Sequence, residues 1–369
     1  MTIVFGGSFN PPHKGHIEIA EHLSNEFKDA KIMIVPSFLS PHKDGAKVSF
    51  FDRINMCKIA FSHIKNLEVS DIEEKLGGKS YTINTINALI KDNFPIYLVI
   101  GADMAESFNT WKDALGIAKK VKLLVYSRND KLDTKALEKL KADFKIMNFK
   151  TTNISSTKLR ENLNKEFIKP EVLDYIKSHS LYGYEEKYKK ILKENLKEKR
   201  YNHCLNVALS AKELAIKNGA DINKAYTAGL LHDITKEMTC DKQLKLIDNF
   251  GIIMTELELK TQKLWHAITG AYYIKEILNI NDEEIFDAVR FHTTAKANMS
   301  LISKIVYIAD YISSDRDYNG VNEMRAAAKK SLDEAMLIAT EFTINDLKSK
   351  GKEIHPDTIL AYKECKRNL

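Results

Sequence analysis

The chain has 369 residues, 44% hydrophobic and 29% charged, with a formal net charge of +6; these are the values of a soluble globular protein, long enough to favour two domains. Its lysines are interleaved with acids, as in Glu185-Glu186-Lys187-Tyr188-Lys189-Lys190, which marks solvated helix surface and argues against a nucleic-acid partner, while the excess positive charge suits phosphate-rich substrates. Cys57, Cys204, Cys240 and Cys365 form no close pair, no apolar run approaches the ~18 residues of a membrane span, and no charged leader precedes the first strand, so free thiols, no membrane partner and a cytoplasmic location are expected.

The chain opens on a strand pattern, Ile3-Val4-Phe5, that runs into Gly6-Gly7-Ser8-Phe9-Asn10-Pro11-Pro12-His13-Lys14-Gly15-His16 and then into a helix pattern with Ile17, Ala20 and Leu23 on one face. Strand, glycine loop and helix is the arrangement that aims free backbone N–H groups and a helix N-terminus at an anion. Gly6 and Gly7 let the backbone approach a phosphate, and Pro11 and Pro12 stiffen the loop that presents two histidines at the helix mouth. The histidine pair in HxGH resembles the nucleotidylyltransferase superfamily. The fuller string GGSFNPPHKGH looks most like the bacterial nicotinate mononucleotide adenylyltransferases, a resemblance that implies phosphate contacts from His13 and His16 and substrate contacts from Gly6, Gly7 and Phe9.

Further strands are expected at Lys31–Val35, Ile96–Ile100 and Val121–Val125, each a short apolar run of the kind buried in a parallel sheet. Helix patterns lie between them at about 50–62, 82–91 and 133–142. This alternation predicts an α/β doubly wound parallel sheet, Rossmann-like, with ligands at the carboxyl ends of its strands. Lys43, after the second strand, could meet a phosphate as a point charge. Thr82, in Ser80-Tyr81-Thr82, starts a helix, and the resemblance implies that it recognises the pyridine nucleotide. Gly101 and Asp103 follow a buried strand, where an acid could bind a ribose hydroxyl. Trp111 either packs in the core or, as the resemblance implies, stacks on the pyridine ring. Ile154-Ser155-Ser156-Thr157-Lys158-Leu159-Arg160 puts three hydroxyls at a helix start with Arg160 one turn on, a second triphosphate clamp, and resembles the family string ISSTxxR. Ser127-Arg128-Asn129-Asp130 departs from relatives, which tend to carry glycine and proline there. Pro170–Tyr184 resembles the family's terminal helix, which places the domain boundary near Tyr182–Glu185, with domains at 1–184 and 185–369.

The strand signal fades after about residue 156, and in the second half polar residues interrupt helical apolar stripes. His203 lines up with Val207, Ala211 and Leu214, and Asp310 with Ile302 and Val306. His266 shares a face with Tyr273, Ile274 and Ile277; His292 extends Ile285 and Val289; His232-Asp233 ends an apolar run. Four histidines and two aspartates facing an all-α core need a common partner, since burying them unpaired costs several kcal/mol, and a metal site answers this. The order His203, His232-Asp233, Asp310 is the pattern of HD-domain metal phosphohydrolases. Lys236 in HDITK, with Ser314-Asp315-Arg316-Asp317-Tyr318-Asn319-Gly320-Val321, resembles the small HD family that cleaves diadenosine tetraphosphate symmetrically into two ADP. The resemblance implies iron on His203, His232, Asp233 and Asp310, phosphate contacts from Lys236 and Arg316, a substrate contact at Thr293, and either a second metal or substrate phosphate on His266 and His292.

The reactions so implied are ATP plus nicotinate mononucleotide giving deamido-NAD and pyrophosphate, with Mg²⁺ accompanying ATP, and metal-assisted hydrolysis of diadenosine tetraphosphate. In the first, the attacking phosphate is already anionic, so His13, His16, Lys43 and Arg160 need only position it and neutralise charge. Asp233 and Lys236 are the residues on which the second is expected to turn. Two alternatives stay open here: another acceptor, such as pantetheine phosphate or the amide mononucleotide, and an HD half that senses nucleotides or hydrolyses others, such as guanosine polyphosphates.

Overall fold

The computed structural model describes residues 1–39, 48–90, 95–127, 132–161 and 163–368. The chain folds as two compact units, Met1–Tyr175 and Ile176–Leu369. The boundary expected near Tyr182–Glu185 lies C-terminal to that division, where Gly183 has left-handed backbone and the helix Tyr184–Asn195 begins. The expected helix 170–184 is shorter than its pattern: it covers Pro170–Ser178, and positive φ at Ser180 and Tyr182 stops it from continuing.

In the first unit six parallel strands lie in the order β3-β2-β1-β4-β5-β6: β1 Thr2–Gly7, β2 Lys31–Pro36, β3 Leu67–Val69, β4 Ile96–Gly101, β5 Val121–Tyr126 and β6 Phe144–Met147. The sheet is therefore doubly wound, and its strand order reverses between β1 and β4. In open sheets of this kind, ligands bind in the crevice outside the carboxyl ends at such a switch point. β2, β4 and β5 are buried almost throughout and β1 over Ile3–Phe5, as their apolar runs require. The edge strands β3 and β6 are not anticipated by the sequence, because each is short and half exposed. Helices cover Lys14–Glu26, Phe50–Phe61 and Thr82–Leu89, while the 133–142 pattern yields only Lys135–Lys139. The loop bearing Lys43 and residues 128–130 lies outside the described residues.

The second unit is helical throughout its described residues. Its longest helix, Glu198–Asn218, ends on Gly219 in the left-handed conformation and packs against Ile222–Leu231. That packing is close: a Cβ on Gly229 would lie 3.1 Å from Ala208 Cα and 3.2 Å from the Val207 carbonyl. Gln262–Tyr272, Glu283–Phe291 and Leu301–Ile312 complete the elements that carry the polar residues singled out above. One stripe departs from expectation. Tyr273–Ile277 is a π turn, which resets the helix phase, so Ile274 is buried while Ile277 is exposed.

Candidate active sites

In the first unit, His13 caps the helix Lys14–Glu26, and its backbone N–H donates to His16 Nδ1 at 3.2 Å. The two imidazoles stack with centroids 3.6 Å apart. The helix has no acidic residue in its first turn, so its positive end is left for an external anion. Gly15 is required by packing: a Cβ there would sit 3.0 Å from the Thr152 carbonyl. Thr152 is in turn tied to the same helix, since its N–H and hydroxyl both donate to the Glu18 carboxylate at 2.7 Å. Gly7 lies against the Phe9 ring, which is wholly buried among Phe5, Phe61 and His16. Phe9 can therefore face a substrate only through its backbone, which turns at φ 43°.

The segment expected to form a second phosphate clamp lies beside the glycine loop. Ser156 Oγ donates to the Pro11 carbonyl at 3.0 Å, and Arg160 Nη1 donates to the Asn10 carbonyl at 2.8 Å. Arg160 Nη2 also reaches Thr157 Oγ1 at 3.1 Å, and Ser155 Oγ accepts from the Lys158 N–H. Glycine loop and ISSTKLR segment thus form one structure, with hydroxyls, imidazoles and a guanidinium gathered where β1 ends. Thr82 starts the helix Thr82–Leu89; Gly101 ends β4 beside the exposed Asp103. Trp111 is half-buried, tilted against Phe108 at 5.2 Å. Part of its ring is packed, as the core reading requires, and part remains available for stacking.

In the second unit, five helices bring six side chains to one buried centre. His203 is mid-helix in Glu198–Asn218, and Asp310 lies in Leu301–Ile312. His232 and His292 close the ends of Ile222–Leu231 and Glu283–Phe291, while His266 lies within Gln262–Tyr272. His232 and His292 donate from Nδ1 to the carbonyls of Gly229 and Val289, each at 2.7 Å. A carbonyl can only accept, so the proton is on Nδ1 and each Nε2 turns a lone pair inward. Those nitrogens look at carboxylate oxygens: His203 Nε2 is 3.0 Å from Asp310 Oδ1, His232 Nε2 3.4 Å from Asp233 Oδ2, and His292 Nε2 3.5 Å from Asp233 Oδ1. His266 Nε2 lies 3.2 Å from Asp233 Oδ1 and 3.1 Å from His292 Nε2.

Lone pairs pointed at anions repel unless a cation lies among them. His203 Nε2, His232 Nε2 and Asp233 Oδ1 are buried with no hydrogen-bond partner among the described residues. The sets His203, His232, Asp310 and His232, Asp233, His292 each gather candidate ligand atoms within 4.8 Å of one another. These residues fit a divalent metal bound by nitrogen and oxygen donors. The charge states agree: burial pushes the His266 imidazole down to about 4, so it is neutral near pH 7.

Cations ring this centre. Lys236 Nζ lies 2.9 Å from His266 Nε2, and burial depresses its ammonium below the usual lysine value. Arg316 bonds both the carboxylate and the carbonyl of Asp310. Thr293 is half-buried next to His292. Two neighbours were not foreseen. Arg200 Nη1 bonds Asp233 Oδ2 at 2.8 Å, and Asp315 Oδ2 meets His203 Nδ1 at 2.7 Å. Arg200 could have been found from its place one turn before His203 on the same helix, whereas the partner of Asp315 depends on the loop's path.

Comparison with known proteins gives the lineage. Residues 4–162 match the cytidylyltransferase-like family and residues 200–315 the HD domain. Over 358 residues the chain is 30% identical to a probable nicotinate-nucleotide adenylyltransferase/Ap4A hydrolase of Mycoplasma genitalium, covering 94% of this chain and 98% of that protein. It is 38% identical over 191 residues to a probable nicotinate-nucleotide adenylyltransferase of Thermosipho melanesiensis, covering 49% of this chain and 95% of that one. It is 37% identical over 174 residues to a symmetrical bis(5'-nucleosyl)-tetraphosphatase of Halalkalibacterium halodurans, covering 47% and 92%. Similarity that spans both proteins nearly end to end, with each unit also matched by a separate single-activity relative, means that this chain belongs to the family of fused nicotinate-nucleotide adenylyltransferase/Ap4A hydrolases.

Proposed function

We propose that the chain is a bifunctional nucleotide enzyme. Its first unit transfers AMP from ATP to nicotinate mononucleotide, and its second cleaves diadenosine tetraphosphate symmetrically. The observation that carries this reading is that each unit gathers a polar cluster of its own, in a chain aligned over almost its whole length with a relative named for both activities.

In the first reaction a phosphate oxygen of the mononucleotide attacks the α-phosphorus of ATP, the bridge to the β-phosphate breaks, and pyrophosphate leaves with the bonding electrons. No proton need be removed from the nucleophile, so the protein's task is charge and alignment. His13 and His16 hold phosphate oxygens at the helix mouth, and Arg160, with Ser155, Ser156 and Thr157, takes the leaving pyrophosphate; Lys43 is assigned to the same polyphosphate. Mg²⁺ arriving with ATP adds to that neutralisation. Thr82, Trp111, Gly101 and Asp103 line the way for the mononucleotide, with Trp111 stacked on the pyridine ring.

In the second reaction water attacks one of the two central phosphorus atoms, the central P–O–P bridge breaks, and two ADP are formed. His203, His232, Asp233 and Asp310 would hold iron or another divalent metal, which when bound would supply Lewis-acid chemistry for the attacking water and the phosphoryl group. His266 and His292 extend that set toward a second ion or the substrate phosphate. Lys236 and Arg316 orient the polyphosphate, and Thr293 touches the substrate. Burial of Lys236 favours its pairing with a phosphate, because an anion offsets the desolvation of its ammonium.

The test is product analysis with the full-length protein. ATP should be consumed with nicotinate mononucleotide in preference to the amide mononucleotide or pantetheine phosphate, and diadenosine tetraphosphate should give ADP alone. Equal use of all three acceptors, or release of AMP and ATP, would remove the corresponding half of the assignment.

A further inference from the structure

The histidines that reach the C-terminal centre are not held alike. His232 and His292 follow helix ends and return their Nδ1 protons to carbonyls three residues earlier, Gly229 and Val289. Those bonds are local and uncharged. His203 is mid-helix, where the backbone carbonyls are occupied by the helix itself. Its Nδ1 is met instead by a carboxylate from far along the chain, Asp315 Oδ2 at 2.7 Å, in the loop after Leu301–Ile312. An ionised carboxylate only accepts, so Nδ1 carries the proton and Nε2 is left to face Asp310 Oδ1 at 3.0 Å.

We propose that Asp315 is a positioning residue of this centre: its carboxylate fixes the tautomer and ring direction of His203 and makes that imidazole a stronger electron donor than its two carbonyl-bonded neighbours. The inference rests on reading the centre as a metal site. A carboxylate behind a ligating histidine sharpens orientation and raises ligand basicity, and its loss typically weakens metal binding 10–100-fold. The effect belongs to the set His203, His232 and Asp310, because His203 is absent from the set His232, Asp233 and His292. Asp315 is 34% exposed on the wall of an open cleft that it shares with Glu198, Lys199, Asn202 and His203, so a competing role is direct contact with substrate.

The experiment strips the full-length protein of metal and measures Mn²⁺ affinity by chelator competition for wild type, Asp315→Asn and Asp315→Ala. Asp315→Ala should weaken Mn²⁺ binding about 10–100-fold, and Asp315→Asn less, since an amide oxygen still accepts the Nδ1 proton but carries no charge. The metal-free variants should melt with the wild type. At saturating Mn²⁺, turnover of diadenosine tetraphosphate should recover with KM unchanged, which neither a fold defect nor a substrate contact would produce. Unaltered Mn²⁺ affinity in Asp315→Ala, with a raised KM, would overturn the proposal and make Asp315 a substrate contact. A wild-type protein that binds no Mn²⁺, Fe²⁺ or Co²⁺ would overturn the metal reading and this inference with it.

Discussion

In the first unit the site's two histidines are three residues apart, and one strand, one loop and one helix fix them both. In the second unit four histidines and two aspartates come from five helices, and their outward nitrogens need separate anchors at Gly229, Val289 and Asp315. The first arrangement gets its precision from backbone: N–H groups, a helix end and Gly15, which lets the helix meet the Thr152 carbonyl. The second gets it from side-chain tautomers, each set by the hydrogen bond behind the ring. A site of the first kind survives small shifts in packing, because its members move together. In a site of the second kind, every helix displacement changes the relation of one ligand to the rest.

The largest expected effect tests whether the second site depends on a single group. Asp233→Ala should abolish both bound metal and tetraphosphate hydrolysis while adenylyl transfer continues, because Asp233 faces His232, His266 and His292 at once. Lys236→Ala should keep the metal and raise KM. Full metal occupancy and turnover in Asp233→Ala would mean that the carboxylate only pairs with Arg200. His16→Ala should slow adenylyl transfer by about 10²–10³ at unchanged hydrolysis, the usual loss when one preorganised donor to the transition state is removed. Parallel loss of both activities in a folded protein would show that the two sites are coupled.

A smaller effect probes the claim about displacement. Gly229→Ala puts a Cβ against Ala208 and the Val207 carbonyl, and should cost roughly 1–3 kcal/mol of stability. It should also weaken metal binding, since the Gly229 carbonyl orients His232; thermal melts and chelator competition on one sample measure both. A stability loss with unchanged metal affinity would show that the centre tolerates helix movement. Smallest is Trp111→Ala, which should weaken mononucleotide binding by ~0.5–1.5 kcal/mol plus its share of buried area, leaving ATP binding as it was. Unchanged mononucleotide affinity by calorimetry would return Trp111 to the core beside Phe108.

The same contrast decides what could be read from the chain beforehand. Gly6-Gly7 to His16 and Ile154 to Arg160 are contiguous strings, so their chemistry is written in order. Strands β1, β2, β4 and β5 announce themselves as unbroken apolar runs because both their faces are covered. β3 and β6 do not, since edge strands with exposed residues have no such run. The metal-site candidates were legible because a histidine or aspartate on a buried stripe contradicts its neighbours. Arg200 and Asp315 contradict nothing around them; a half-exposed arginine or loop aspartate is ordinary until the fold brings its partner within 3 Å. Phe9 shows the converse, a motif residue whose ring belongs to the core.

The π turn at Tyr273–Ile277 acts as a register boundary. Upstream of it the facing of His266 is pinned twice: Thr235 Oγ1 donates to the His266 carbonyl at 2.8 Å, and Trp265 Nε1 donates to the Glu258 carbonyl at 2.8 Å. Within the turn, Ile274 is buried while Ile277 is exposed. A one-residue insertion or deletion after Tyr272 would therefore displace the buried Ile274, while the two bonds upstream still hold the facing of the imidazole. The chemistry is insulated from length variation in the segment that follows it, much as a splice joint protects a shaft from the play of what is attached beyond it.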